Sequence, residues 1–159
     1  MTLILGILTG VVLATILGCA VGPLMRVAAP RPNAPAPFSA EQWTQLIEAS
    51  GGGWIGALER YLSFGAFWTG NPSIIMGWFT LKLAAKWEAW KNVVQVPVAL
   101  HPIPDLDWLL IRRVVSSHLL TRFLVGTLAN ALIGWAAATV GRHAAQGLAV
   151  VLASLRSAA

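Results

Sequence analysis

The chain has 159 residues, 57% hydrophobic and 11% charged, with a mean hydropathy of +0.69. Soluble domains carry nearer a quarter charged residues, so the composition excludes an ordinary soluble globular protein. The formal net charge of +5, in a chain this apolar, points to membrane topology and anionic lipid, not to nucleic acid. The lone cysteine, Cys19, rules out an intrachain disulfide and a cysteine-based metal cluster. The predicted fold is an all-α integral membrane protein with about four transmembrane helices plus short amphipathic surface helices.

Residues 1–25 read as an N-terminal transmembrane anchor. Thr2 to Leu24 contain no charged side chain, and such a run exceeds a hydrocarbon core of about 30 Å. A cleaved secretory signal needs a basic start, yet no Lys or Arg precedes Arg26. A lipoprotein box at Ile16-Leu17-Gly18-Cys19 is the rival reading. It fits poorly at Leu17, and the apolar run continues past Cys19.

Residues 26–52 read as a linker and a short surface helix. Prolines at 30, 32, 35 and 37 preclude helix and favour extended chain. Ser39 with Gln42 three residues on is a capping-box pattern, predicting a helix to about Ala49. Residues 53–91 read as a membrane helical hairpin with arms Gly53–Thr69 and Pro72–Trp90, because Asn71-Pro72 is a turn signal. The alternative is a re-entrant or interfacial hairpin that does not cross.

Residues 92–117 read as a loop and interfacial segment, with Asp105 as an N-cap and Asp107 at the positive helix end. Residues 118–141 read as the last span. Residues 142–159 read as an amphipathic helix with Leu148, Val151, Leu152 and Leu155 on one face. With the N-terminus outside, the inner loops hold Arg26, Arg31, Lys86, Lys91, Arg112 and Arg113, against Arg142 and Arg156 outside. That asymmetry follows the positive-inside rule. The eight tryptophans read as an interfacial belt, with Trp54, Trp87, Trp90 and Trp108 inside and Trp68 and Trp135 outside.

Two constellations stand out. The first is a ladder of small residues. Gly6, Gly10, Ala14, Gly18 and Gly22 are spaced by four along the first helix, and Gly126, Asn130, Gly134 and Ala138 repeat the device in the last. Such stripes let helix backbones approach closely, and Asn130 adds an interhelical hydrogen bond. The readings are intrachain packing of the first and last helices, or a face for self-association or a partner. The second constellation is a set of membrane charges: Glu59, Arg60, Lys82, Lys86 and Arg122. All fall at similar depth, roughly 5–12 Å from the inner surface. A lone charge at mid-bilayer costs about 2.5–3.5 kcal/mol or more. Glu59 should therefore pair with Lys82, Lys86 or Arg122, while adjacent Arg60 points about 100° away and needs another partner. The set reads as an ionic clasp, a notch for anionic lipid head groups, or a proton or ion relay on Glu59.

Catalytic signals are weak. HExxH, CxxC, GxSxG and Walker patterns are absent. His101 with Asp105 or Asp107 is a thin basis for a metal site. No metal and no cofactor is expected.

Leu58-Glu59-Arg60 with Phe64, then Asn71-Pro72, Ala84-Ala85-Lys86 and Leu124-Val125-Gly126-Thr127-Leu128 form an ordered set. Over about residues 55–135 it resembles a group of small bacterial integral membrane proteins with no assigned activity. In that group a Glu-Arg pair opens one short membrane helix, a Lys closes the next, and a Gly-Thr-Leu helix follows. This chain departs from it at Arg122-Phe123, where the group is acidic, and in the longer, proline-rich segment from Asn92 to Asp107. The resemblance implies a membrane hairpin and a bacterial cytoplasmic membrane. The expected role is an accessory or scaffolding subunit with a basic inner face for anionic lipid or a protein partner. Rival expectations are an oligomeric channel or transporter with Glu59 in its path, and a lipid-handling enzyme with no nucleophile to name.

Overall fold

The computed structural model describes residues 1–34, 38–48, 52–91 and 105–157, and side chains at 1–34, 38–45, 53–85 and 110–157. The described chain is helical: α1 Thr2–Gly18, α2 Val21–Ala28, α3 Ala40–Glu48, α4 Gly52–Trp68, α5 Ser73–Lys91 and α6 Asp105–Ser157. Two stretches are long and apolar enough to cross a membrane, Thr2–Ala28 and Leu110–Ser157. Ser73–Ala85 is a shorter apolar helix.

The uncharged run 2–24 is not one regular helix. At Cys19 and Ala20 the bonding tightens to i→i−3, with Cys19 N–H donating to Ile16 (3.1 Å) and Ala20 N–H to Leu17 (3.0 Å). Pro23 explains the break. It lacks an N–H, and its ring meets the carbonyl of the residue four before it, which here is Cys19. Proline is tolerated only in a first turn, so α2 starts anew at Val21.

The capping box predicted for α3 is present. Gln42 N–H donates to Ser39 Oγ (3.2 Å), and Ser39 N–H donates to Gln42 Oε1 (3.0 Å). Trp43 on α3 is buried and donates its indole N–H to the Pro32 carbonyl at 2.7 Å. The surface helix is thereby fastened to the linker. Residues 35–37 and 49–51 lie outside the described residues.

The α4–α5 turn forms at the predicted place, but on a residue the sequence reading passed over. Gly70 has φ +73°. Gly70 N–H donates to Phe67 (3.3 Å) and Asn71 N–H to Ala66 (2.8 Å). This is a Schellman ending, which needs a left-handed residue after the helix. Pro72 then leads into α5, whose first N–H groups bond back to Asn71 and Pro72.

The largest departure is α6. The sequence reading divides this stretch near 117 and 141, whereas it is one helix of 53 residues, about 80 Å long. No proline occurs from 105 to 157, and isolated glycines or charges weaken a helix without ending it. Nitroxide labels replacing exposed Leu120 and Val151, in a Cys19→Ser background, should lie about 46 Å apart along the axis. A clearly shorter distance by double electron–electron resonance would mean that α6 breaks.

The core is the seam where α1, α4 and α6 meet, with α5 packed more lightly on α4 and α6. Ala14, Phe64, Ala137 and Ala138 form its centre, flanked by Ile7, Val11, Phe67, Trp68 and Ile133. A Cβ on Gly6 would meet the Gly141 carbonyl, and one on Gly10 the Phe64 ring and the Ala137 carbonyl. Thus α1 runs antiparallel to α6, and α4 parallel to it. Trp68 packs over Gly6 and Gly141, while Trp54 and Trp135 are exposed.

Candidate functional site

Glu59 is 3% exposed, on the α4 face turned toward α5 and α6. Lys82 of α5 forms an ion pair with Glu59 Oε1. Lys82 Nζ also donates to Thr127 Oγ1 at 2.7 Å and sits 4.5 Å above the Phe123 ring. The Trp78 indole N–H donates to Glu59 Oε1 at 3.3 Å, the Thr127 hydroxyl to the same atom at 3.4 Å, and the Asn130 amide to Oε2 at 3.4 Å. A carboxylate held this way has its charge balanced and both oxygens hydrogen-bonded.

Arg60, one residue on, turns to the other side as expected from helix geometry. Its Nη1 donates to Asn130 Oδ1 at 2.7 Å. Asn130 therefore links the acid and the guanidinium, using its amide toward Glu59 and its carbonyl toward Arg60. The Arg60 Nε is buried without a partner, and a Cβ on Gly18 would strike this guanidinium. The glycine at 18 thus makes room for Arg60. Thr15 and Tyr61 share a hydroxyl hydrogen bond of 2.8 Å one turn deeper along the same α1–α4 seam.

Of the five predicted membrane charges, Glu59, Arg60 and Lys82 come together. Arg122 does not join them. Phe123, Thr127, Asn130 and Gly134 follow a 4-3-4 spacing that lines one helix face, and Arg122 lies one residue, about 100°, off it. The Lys86 side chain lies outside the described residues, as do those of Asp105, Asp107 and Trp108, all of the 92–104 loop, and His101. Trp78, Phe123 and Thr127 were missed. The signal for them was spacing: Trp78 and Lys82 are at i,i+4 on α5, and Phe123 and Thr127 at i,i+4 on α6.

The small-residue ladder is spent within the chain. Gly6 and Gly10 face α6 and α4, Ala14 is fully buried, and Gly134 opposes the Arg60 carbonyl, the Phe64 N–H and Ser63. At Gly22 the ladder loses its partner, with nothing beyond its chain neighbours within 4 Å of a Cβ, whereas Gly126 still faces Met25 of α2. Pro23 accounts for the loss at Gly22, because the break before α2 turns the stripe off its register.

Among the described residues, no group of three His, Cys, Asp or Glu is placed to hold a metal ion. The described residues define an all-helical fold with two stretches of membrane-crossing length and a buried ionic network. No protein-family model, curated protein or solved structure matches the chain.

Proposed function

We propose that the chain is a non-catalytic integral membrane protein, an accessory or scaffolding subunit of a bacterial cytoplasmic membrane complex. In this reading α1, both hairpin arms and α6 cross the bilayer, with the N-terminus outside. One observation carries it, the inverted polarity of the bundle. Glu59, Ser63, Thr127 and Asn130 are buried, while Leu124, Leu128 and Leu132 on the outer face of α6 are 51%, 58% and 54% exposed. Ile4, Leu8, Val12 and Ile16 likewise point outward from α1. Apolar surface on this scale suits lipid and not water, and polar groups at membrane depth face the interior.

The ionic network supports a clasp over a conduction path, because Glu59 already has a cation and three further donors. Arg26, Arg31, Arg112 and Arg113 all precede the uncharged α6 stretch 123–141 or follow the uncharged run 2–24, which suits an anionic leaflet at that side. Native mass spectrometry of the protein extracted with its lipids tests the reading. Co-purified polypeptides in fixed ratio are expected. A pure homo-oligomer whose ion flux is lost in Glu59→Gln would replace the scaffold with an oligomeric channel.

A further inference from the structure

Pro30, Pro32, Arg113, Val114, Ser117 and His118 line an open groove of about 350 Å³ between the linker and the N-terminal half of α6. The four α6 residues are two i,i+4 pairs one residue apart, so they share a face. Arg113 is exposed at the rim, and Ser117 offers a hydroxyl. His118 is 8% exposed, yet its Nε2 is buried with no hydrogen-bond partner. Buried ring nitrogens are ordinarily satisfied, so the groove wall holds an unspent polar group. Arg31 and Arg122 also act electrostatically on the His118 ring. Among the described residues, no carboxylate lines the groove.

We infer that this groove is a binding site for an anionic phosphate group, with Arg113 and Ser117 as donors and His118 as the buried wall. Guanidinium and hydroxyl are donors that phosphate oxygens accept from, and the imidazole behind them adds no negative charge. A groove of about 350 Å³ has room for a phosphate group. The groove begins one helical turn before Arg122, outside the uncharged α6 stretch 123–141, where a head group would sit. This rests on the membrane reading above, and it narrows that reading's basic face to one place and one ligand chemistry. Lipid phosphate and free phosphate share that chemistry.

The test uses the full chain in nanodiscs of phosphatidylcholine doped with phosphatidylglycerol, with retained lipids counted by native mass spectrometry. Arg113→Gln should lower phosphatidylglycerol retention about tenfold, the value of one charge-assisted hydrogen bond. Arg142→Gln removes the same charge from the other half of α6 and should leave retention unchanged. Circular dichroism confirms that both variants keep their helix content. In a second arm, inorganic phosphate is titrated into the detergent-solubilised protein. Phosphate binding abolished by Arg113→Gln, with lipid retention unmoved, would support the site and make its ligand free phosphate. Equal loss in both variants, or loss in neither on either arm, overturns the groove. Carbonate washing of membranes separates the two claims. Wild-type protein that washes off sinks the membrane reading, whereas protein that stays without selective retention sinks only the groove.

Discussion

Lys82→Met should destabilise the bundle by about 3–5 kcal/mol, the cost of leaving a buried ionic partner uncompensated. Glu59 is 3% exposed and Lys82 15%, so water cannot replace the lost ammonium. Trp78, Thr127 and Asn130 would still donate to the carboxylate, but they bring dipoles and no charge. The double variant Glu59→Gln/Lys82→Met should recover most of the loss, because the amide carries no charge and can still accept from Trp78 and Thr127. Thermal unfolding in detergent, followed by circular dichroism and arranged as a double-mutant cycle, gives the coupling directly. A single variant as stable as wild type would mean that the ion pair holds nothing together. Because α5 packs lightly on the bundle, its amides should exchange first in the Lys82 variant.

Gly134→Leu should cost a comparable amount, at or above the usual 1–3 kcal/mol for overpacking. A Cβ there would lie 2.7 Å from the Arg60 carbonyl and 2.8 Å from the Phe64 N–H, both backbone atoms of α4. Side chains can rotate out of the way, but a helix backbone cannot. The two helices must therefore separate, which also pulls Asn130 from Glu59 and Arg60. Gly147→Ala, at an exposed position of α6, is the contrast. Nothing lies within 4 Å of its Cβ, and exchanging Gly for Ala in a helix gains roughly 0.5–1 kcal/mol. The two melting shifts should have opposite signs. A Gly134 variant that melts like wild type would exclude close α4–α6 packing.

Helix class and the placement of α3, α4 and α5 were legible because local chemistry marks them. The Ser39–Gln42 box, the Asn71-Pro72 turn and the uncharged runs each act over a few residues. The Glu59–Lys82 pair was legible as well, since few countercharges share that depth. What escaped was rotational: Arg122 and Phe123 are neighbours in sequence, but only Phe123 faces Lys82. Spacing alone makes the glycine ladder continuous through Gly22, and carries no trace of the register shift that Pro23 imposes. Boundaries at 117 and 141 were inferred from polarity, and polarity changes where a helix meets water without ending it. The Arg113–His118 groove depends on a linker folding back from Pro30 and Pro32, and no spacing rule announces such a contact.

The antiparallel seat of α1 on α6 also sets an order in time. Gly10 meets Ala137, so α1, which is made before α6, waits for it. At about 5–20 residues per second, the intervening chain takes on the order of ten seconds to emerge. Throughout that interval the glycine face of α1 has no α6 to cover it. A nascent chain stalled before α6 would present that face to any other helix, and so assembly of this bundle depends on the emergence of α6.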